Sequence, residues 1–149
     1  MSTRQDVRGV VNTAVYAGGV ANKVTQGLID GRNKVNMDKY TVIVSDLATA
    51  STIKLGSALP VGAKVLFIIL SSSVAQTSLT ASVGDANSAT RYANANTGLQ
   101  TANSAVVLDG QGYIIGTSTT TDDTQILLTT GGADGQAGVI YAQIHYATN

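Results

Sequence analysis

Few residues in this sequence are equipped for chemistry. The 149-residue chain has one histidine, His145, no cysteine, and nine acids that are all aspartate. Without cysteine there is no disulfide, thiolate metal site or thiol nucleophile. One histidine and no glutamate cannot supply a His-rich zinc site or a Glu-based acid–base pair within one chain. A Ser–His–Asp set needs His145, which alternates with Ile144 and Tyr146 near the C-terminus. Alternation puts it on the opposite face of a strand, toward solvent or an interface. We expect no enzyme, and neither a cofactor nor a catalytic residue.

The remaining candidates have plain structural readings. Asp109, Asp122, Asp123 and Asp134 lie in loop-like sequence and could hold calcium if folding gathered three of them, but their spacing matches no calcium loop. They read as turn residues, and no metal is expected. Gly110-Gln111-Gly112 lacks the third glycine of a dinucleotide fingerprint and no helix follows it. Lys54, Lys64 and Arg91 are the only cations after residue 39, too few for a nucleic-acid surface. Tyr92, Tyr113, Tyr141 and Tyr146 could stack on sugars, or serve as core or interface residues.

The elements that carry these residues read as β-structure. Charged residues make up 12% of the chain, and Asp, Asn, Ser, Thr and Gly replace the usual helix formers. Such side chains compete for backbone hydrogen bonds, and β-branched Thr and Val favour strands. The hydrophobic 44% includes one Phe and no Trp, so a core of small side chains is expected. Length fits one domain. From residue 40 onward, short apolar runs alternate with turn residues, predicting strands at 40–45, 51–55, 64–71, 78–83, 90–93, 105–108, 113–117, 124–129 and 139–146. No helix intervenes, which implies antiparallel pairing in a β-sandwich or barrel.

Three local features refine this reading. The unbroken run Val65-Leu66-Phe67-Ile68-Ile69-Leu70 predicts a central strand covered on both faces. Asp109-Gly110 between apolar runs predicts a hairpin pairing 105–108 with 113–117. Pro60 marks a turn before the central strand. No apolar run approaches the roughly 20 residues of a membrane span, and the start of the chain lacks a secretory h-region. Synthesis in the cytoplasm is the simplest expectation.

Residues 1–39 differ from the rest. They hold six of nine cations and three of nine acids, a net +3 balanced by −3 in the remainder. They show no sustained strand or helix period. We read 1–39 as an extended N-terminal arm and 40–149 as the β domain. The arm is too rich in Val and Ala for a solvated tail, so a partner surface or sister subunit is expected to order it.

Residues 40–149 resemble the small jelly-roll decoration, or cement, proteins of tailed bacteriophage heads. The resemblance rests on Gly56-Ser57-Ala58-Leu59-Pro60-Val61-Gly62-Ala63 before the apolar run and on Leu79-Thr80-Ala81-Ser82-Val83-Gly84-Asp85 followed by Thr90-Arg91-Tyr92. The closing segment from Ala137 to Tyr146 completes it. It implies a homodimer or homotrimer on the outer surface of a virion, bridging copies of the major capsid protein and binding neither nucleic acid nor membrane. Within that reading Arg4, Val7, Arg8, Val10, Val11, Val15, Lys23, Arg32 and Lys34 are the expected capsid or subunit contacts. A tail or receptor-binding, glycan-binding module of a virion is the alternative.

Overall fold

Alternation of side chains across extended backbone sets the architecture. The computed structural model describes residues 33–43, 47–118 and 121–148. Among these residues eight strands follow one another: β1 (Asn33–Val42), β2 (Thr52–Leu55), β3 (Lys64–Ser72), β4 (Thr80–Gly84), β5 (Ala93–Asn96), β6 (Val106–Asp109), β7 (Ile126–Gly131) and β8 (Gly138–Ala147). A 3₁₀ turn, Gly98–Gln100, precedes β6 and buries Leu99.

The strands form two four-stranded antiparallel sheets, ordered β1-β8-β3-β6 and β2-β7-β4-β5. Successive strands cross between the sheets except β4 and β5, which pair within one. This is the two-sheet, eight-strand order of a jelly roll. The all-β sandwich expected from the sequence is therefore the observed fold.

The core is not made of small side chains. Leu and Ile dominate it: Ile53, Leu55, Ile68, Leu70, Leu108, Ile126, Leu128, Ile140 and Ile144 project inward from the strands, and Leu47, Leu59, Leu79, Leu99 and Ile115 close it from the loops. Composition counts residues without locating them, and inward positions select the larger aliphatics, which bury the most area per residue.

Strand β3 is central, between β8 and β6. A bulge between Val65 and Phe67 shifts its register, so Val65 and Ile68 both point into the core. The second face of β3 is not fully covered, contrary to expectation. Leu66, Phe67 and Ile69 are half-buried, and among the described residues their neighbours across the sheet are His145, Gln143, Asp109 and Val107.

The predicted 105–108/113–117 hairpin does not form. β6 pairs with Phe67–Leu70 of β3, and the chain then continues along the same strand: the Gly110 N–H donates to Leu66 O, the Val65 N–H to Tyr113 O and the Ile115 N–H to Ala63 O. Residues 110–112 are an outward loop in one run of chain. The left-handed residues are Gln111 and Gly112 rather than the expected Asp109-Gly110 pair, and β3 competes for both flanks. Gly110 is required by this crossing, because a Cβ there would lie 2.5 Å from Val65 O.

Strand β1 begins at Asn33, not at residue 40. Residues 33–39, including Lys34, are paired with β8 and so belong to the sheet rather than to an arm. Their inward positions 34, 36 and 38 are polar: Asn36 and Asp38 overhang the 56–57 loop, where Asn36 Nδ2 donates to Ser57 O at 2.7 Å and the Gly56 N–H to Asp38 Oδ2 at 2.9 Å, and Lys34 is exposed beside Pro60 and Val61. That removes the apolar alternation by which a strand is recognised.

Candidate interaction surface

The outward side of the β1-β8-β3-β6 sheet is built in rows by the pairing registers. One row crosses Val35, His145, Phe67 and Asp109. The next crosses Met37, Gln143, Ile69 and Val107, and a third holds Lys39, Tyr141 and Ser71. Val35 is 45% exposed, Met37 67%, Val107 62% and Tyr141 45%. A soluble single chain seldom gathers such residues on one face without a partner.

The centre of this face is more ordered than its rim. The His145 ring stacks on Phe67 with centroids 4.2 Å apart and planes 19° from parallel. Its Nε2 lies 3.4 Å from Gln143 Oε1. Met37, Asp38, Lys39 and Tyr141 line a shallow open depression of about 400 Å³. Such a broad face suits a protein surface better than a small substrate, which binds in enclosed pockets.

Elsewhere, a polar network locks the β4–β5 loop. Asp85, 1% exposed, accepts the N–H groups of Asn87 and Ser88 at 2.9 and 2.8 Å and the Arg91 Nε at 2.6 Å. The Arg91 guanidinium lies 3.7 Å above the Tyr113 ring centroid, and Tyr113 donates to buried Asp123. The hydrogen bond to Asp85 holds Arg91 above its ordinary pKa. Burial raises Tyr92, whose hydroxyl is enclosed without a hydrogen-bond partner.

Burial alone would raise the Asp123 carboxyl. Hydrogen bonds from the Tyr113 hydroxyl and from the N–H groups of Ser118 and Gly116 outweigh it and hold the group below the ordinary carboxylate range. A carboxylate depressed by folding contributes stability above its unfolded pKa and loses it as pH falls through the folded value. Denaturant midpoints should therefore fall as pH is lowered below about 4, and Asp123→Asn should flatten that decline. An unchanged slope in the variant would refute the assignment.

The structure separates the residues singled out from sequence. Arg4, Val7, Arg8, Val10, Val11, Val15, Lys23 and Arg32 lie outside the described residues. Lys34 is exposed on β1 and lines a second depression with Pro60, Val61 and Thr148. The four aspartates are dispersed: Asp134 binds Thr49, Asp122 binds Thr124, Asp109 accepts the Gln111 N–H and Asp123 joins Tyr113. The tyrosines are also divided. Tyr92 is buried, Tyr113 lies under Arg91, Tyr146 packs on the core, and only Tyr141 of the four is an exposed large residue.

Sequence reasoning missed Val35, Met37, Phe67, Ile69 and Val107 as surface candidates. The available signal was the 139–146 alternation, whose second face includes Val139 and Tyr141. It becomes a patch only when β1, β3 and β6 are placed beside it.

No family model matches the chain, and no curated protein matches it. Among solved structures, a chain of the cyanophage Pam1 capsid asymmetric unit is similar, with a TM-score of 0.57 and 24% identity, covering 79% of this chain and 84% of that one. A chain of the acidic stable capsid structure of Helicobacter pylori bacteriophage KHP30 matches with a TM-score of 0.47 and 13% identity, covering 77% and 86%. The Pam1 likeness is one of fold: a similar β-sandwich is present in a phage capsid assembly.

Proposed function

We propose that this chain is a structural subunit of a bacteriophage virion, made in the host cytoplasm, that attaches to the outer surface of the capsid as a decoration or cement protein. Its partners are the major capsid protein and further copies of itself, and it acts without catalysis, cofactor, nucleic acid or membrane. The observation that carries this reading is the exposed apolar face of β1-β8-β3-β6, with Val35, Met37, Val107 and Tyr141 at its surface. The fold likeness to a chain of the Pam1 capsid assembly indicates the class of partner. Buried apolar area supplies the attachment, and repetition over a shell lets modest contacts act together.

Co-sedimentation of the purified chain with shells stripped of it tests the reading, with shell survival on heating measured in parallel. Saturable binding and a higher shell melting temperature are expected. Absence of binding at high protein concentration would refute it, and stabilisation by soluble glycans instead would favour a receptor-binding module.

A further inference from the structure

Among the described residues, the outer side of β1 over residues 33–39 has the form of a strand that pairs with another copy of itself. Among the described residues β1 is the terminal strand of its sheet; it is ten residues long, without glycine or proline, and its register with β8 is unbroken from Asn33 to Val42. Edge strands that avoid pairing are usually short, bulged or interrupted by proline. β1 has none of these devices. Its charges, Lys34, Asp38 and Lys39, could oppose pairing, so their spacing decides the matter.

In an antiparallel pairing centred on Asn36, residue 34 lies opposite 38, 35 opposite 37 and 33 opposite 39. Lys34 then meets Asp38 of the second copy on the inward side, twice by symmetry. Val35 meets Met37 on the outward side, also twice. Moving the centre by one residue loses both charge pairs, while moving it by two sets Lys34 against Lys34 or Asp38 against Asp38. Opposite charges across strands favour a register and like charges oppose it. The Asp38 carboxylate is already oriented, accepting the N–H groups of Gly56 and Lys39, and has acceptor sites to spare.

We propose that two copies of this chain associate about a two-fold axis at Asn36, joining their β1 strands into one continuous eight-stranded sheet. The pairing satisfies edge backbone groups and brings the exposed Val35 and Met37 of each copy together. It also places two apolar outer faces side by side, whatever surface they dock against. This inference does not depend on the capsid reading, because its test uses the chain alone.

The test is sedimentation velocity of the full-length chain over a concentration series. A monomer–dimer equilibrium is expected, weakened about tenfold or more by Lys34→Asp or Asp38→Lys and recovered by the double exchange. Circular dichroism of each variant checks the fold. The chain has no cysteine, so Asn36→Cys adds an independent readout. Under oxidation it should yield a covalent dimer, whereas Thr41→Cys, ten residues from its symmetry-related position, should not. A monomer at all concentrations, or an oligomer indifferent to both charge reversals and not cross-linked through position 36, would overturn the proposal.

Discussion

Replacing Asp85 with alanine is expected to cost about 3–5 kcal/mol, the range found when one member of a buried ion pair is removed. The carboxylate is 1% exposed and holds Arg91 together with the N–H groups of Asn87 and Ser88. Its loss leaves the Arg91 side chain, 18% exposed, without its carboxylate and beside two unpaired donors. The damage also extends beyond the loop. Arg91 stacks on Tyr113, and Tyr113 anchors Asp123, so the β4–β5 loop and the segment before β7 are released together. For a chain of this length the melting temperature should fall by about 10 °C or more. Asp85→Asn, whose side-chain oxygen can still accept the N–H groups of Asn87 and Ser88 but which loses the charge and the acceptor for Arg91 Nε, should lie between the alanine variant and the parent. A loss under about 1 kcal/mol on equilibrium unfolding would show that solvent readily replaces the carboxylate, and that the network does not hold the loop.

The second large effect concerns attachment and leaves stability almost untouched. In the double variant Val107→Asp, Tyr141→Asp, two negative charges enter the outer face at positions 62% and 45% exposed. Neither side chain belongs to the core cluster, so thermal unfolding should change little. If this face docks on the shell, each substitution buries an unpaired charge in the contact, and a central contact residue is worth about 2 kcal/mol or more. Together they should weaken shell binding at least about 100-fold. The two sites lie outside β1, so the self-pairing register is preserved. Parent-like shell binding by a folded variant would move the docking surface to another part of the molecule.

Legibility in the sequence followed how local each determinant was. The last strand was readable from 139–146 alone, because Ile140, Ala142 and Ile144 face the core while Tyr141, Gln143 and His145 face outward. The 33–39 stretch was not readable as a strand. Lys34, Asn36 and Asp38 occupy its inward positions, and the fitness of Asn36 and Asp38 there depends on the 56–57 loop, some twenty residues away. Asp85 was legible as a loop residue, and its bonds to the N–H groups two and three positions on follow the known habit of aspartate in turns. Its pairing with an Arg91 that stacks on Tyr113 was not, since that requires two loops from different sheets to meet.

By itself, the sequence determined the β class, the positions of most strands, the antiparallel pairing and the poverty of catalytic side chains. Those follow from residue type and period-two patterning, which act within a few residues. Tertiary structure alone decided the strand order, the choice of β3 over a hairpin as partner for both sides of residues 110–112, and the assembly of Val35, Met37, Phe67, Ile69, Val107 and Tyr141 into one face. Each of these is a competition between partners distant in sequence. Its outcome depends on which pairing buries the most Leu and Ile while leaving no backbone group unsatisfied.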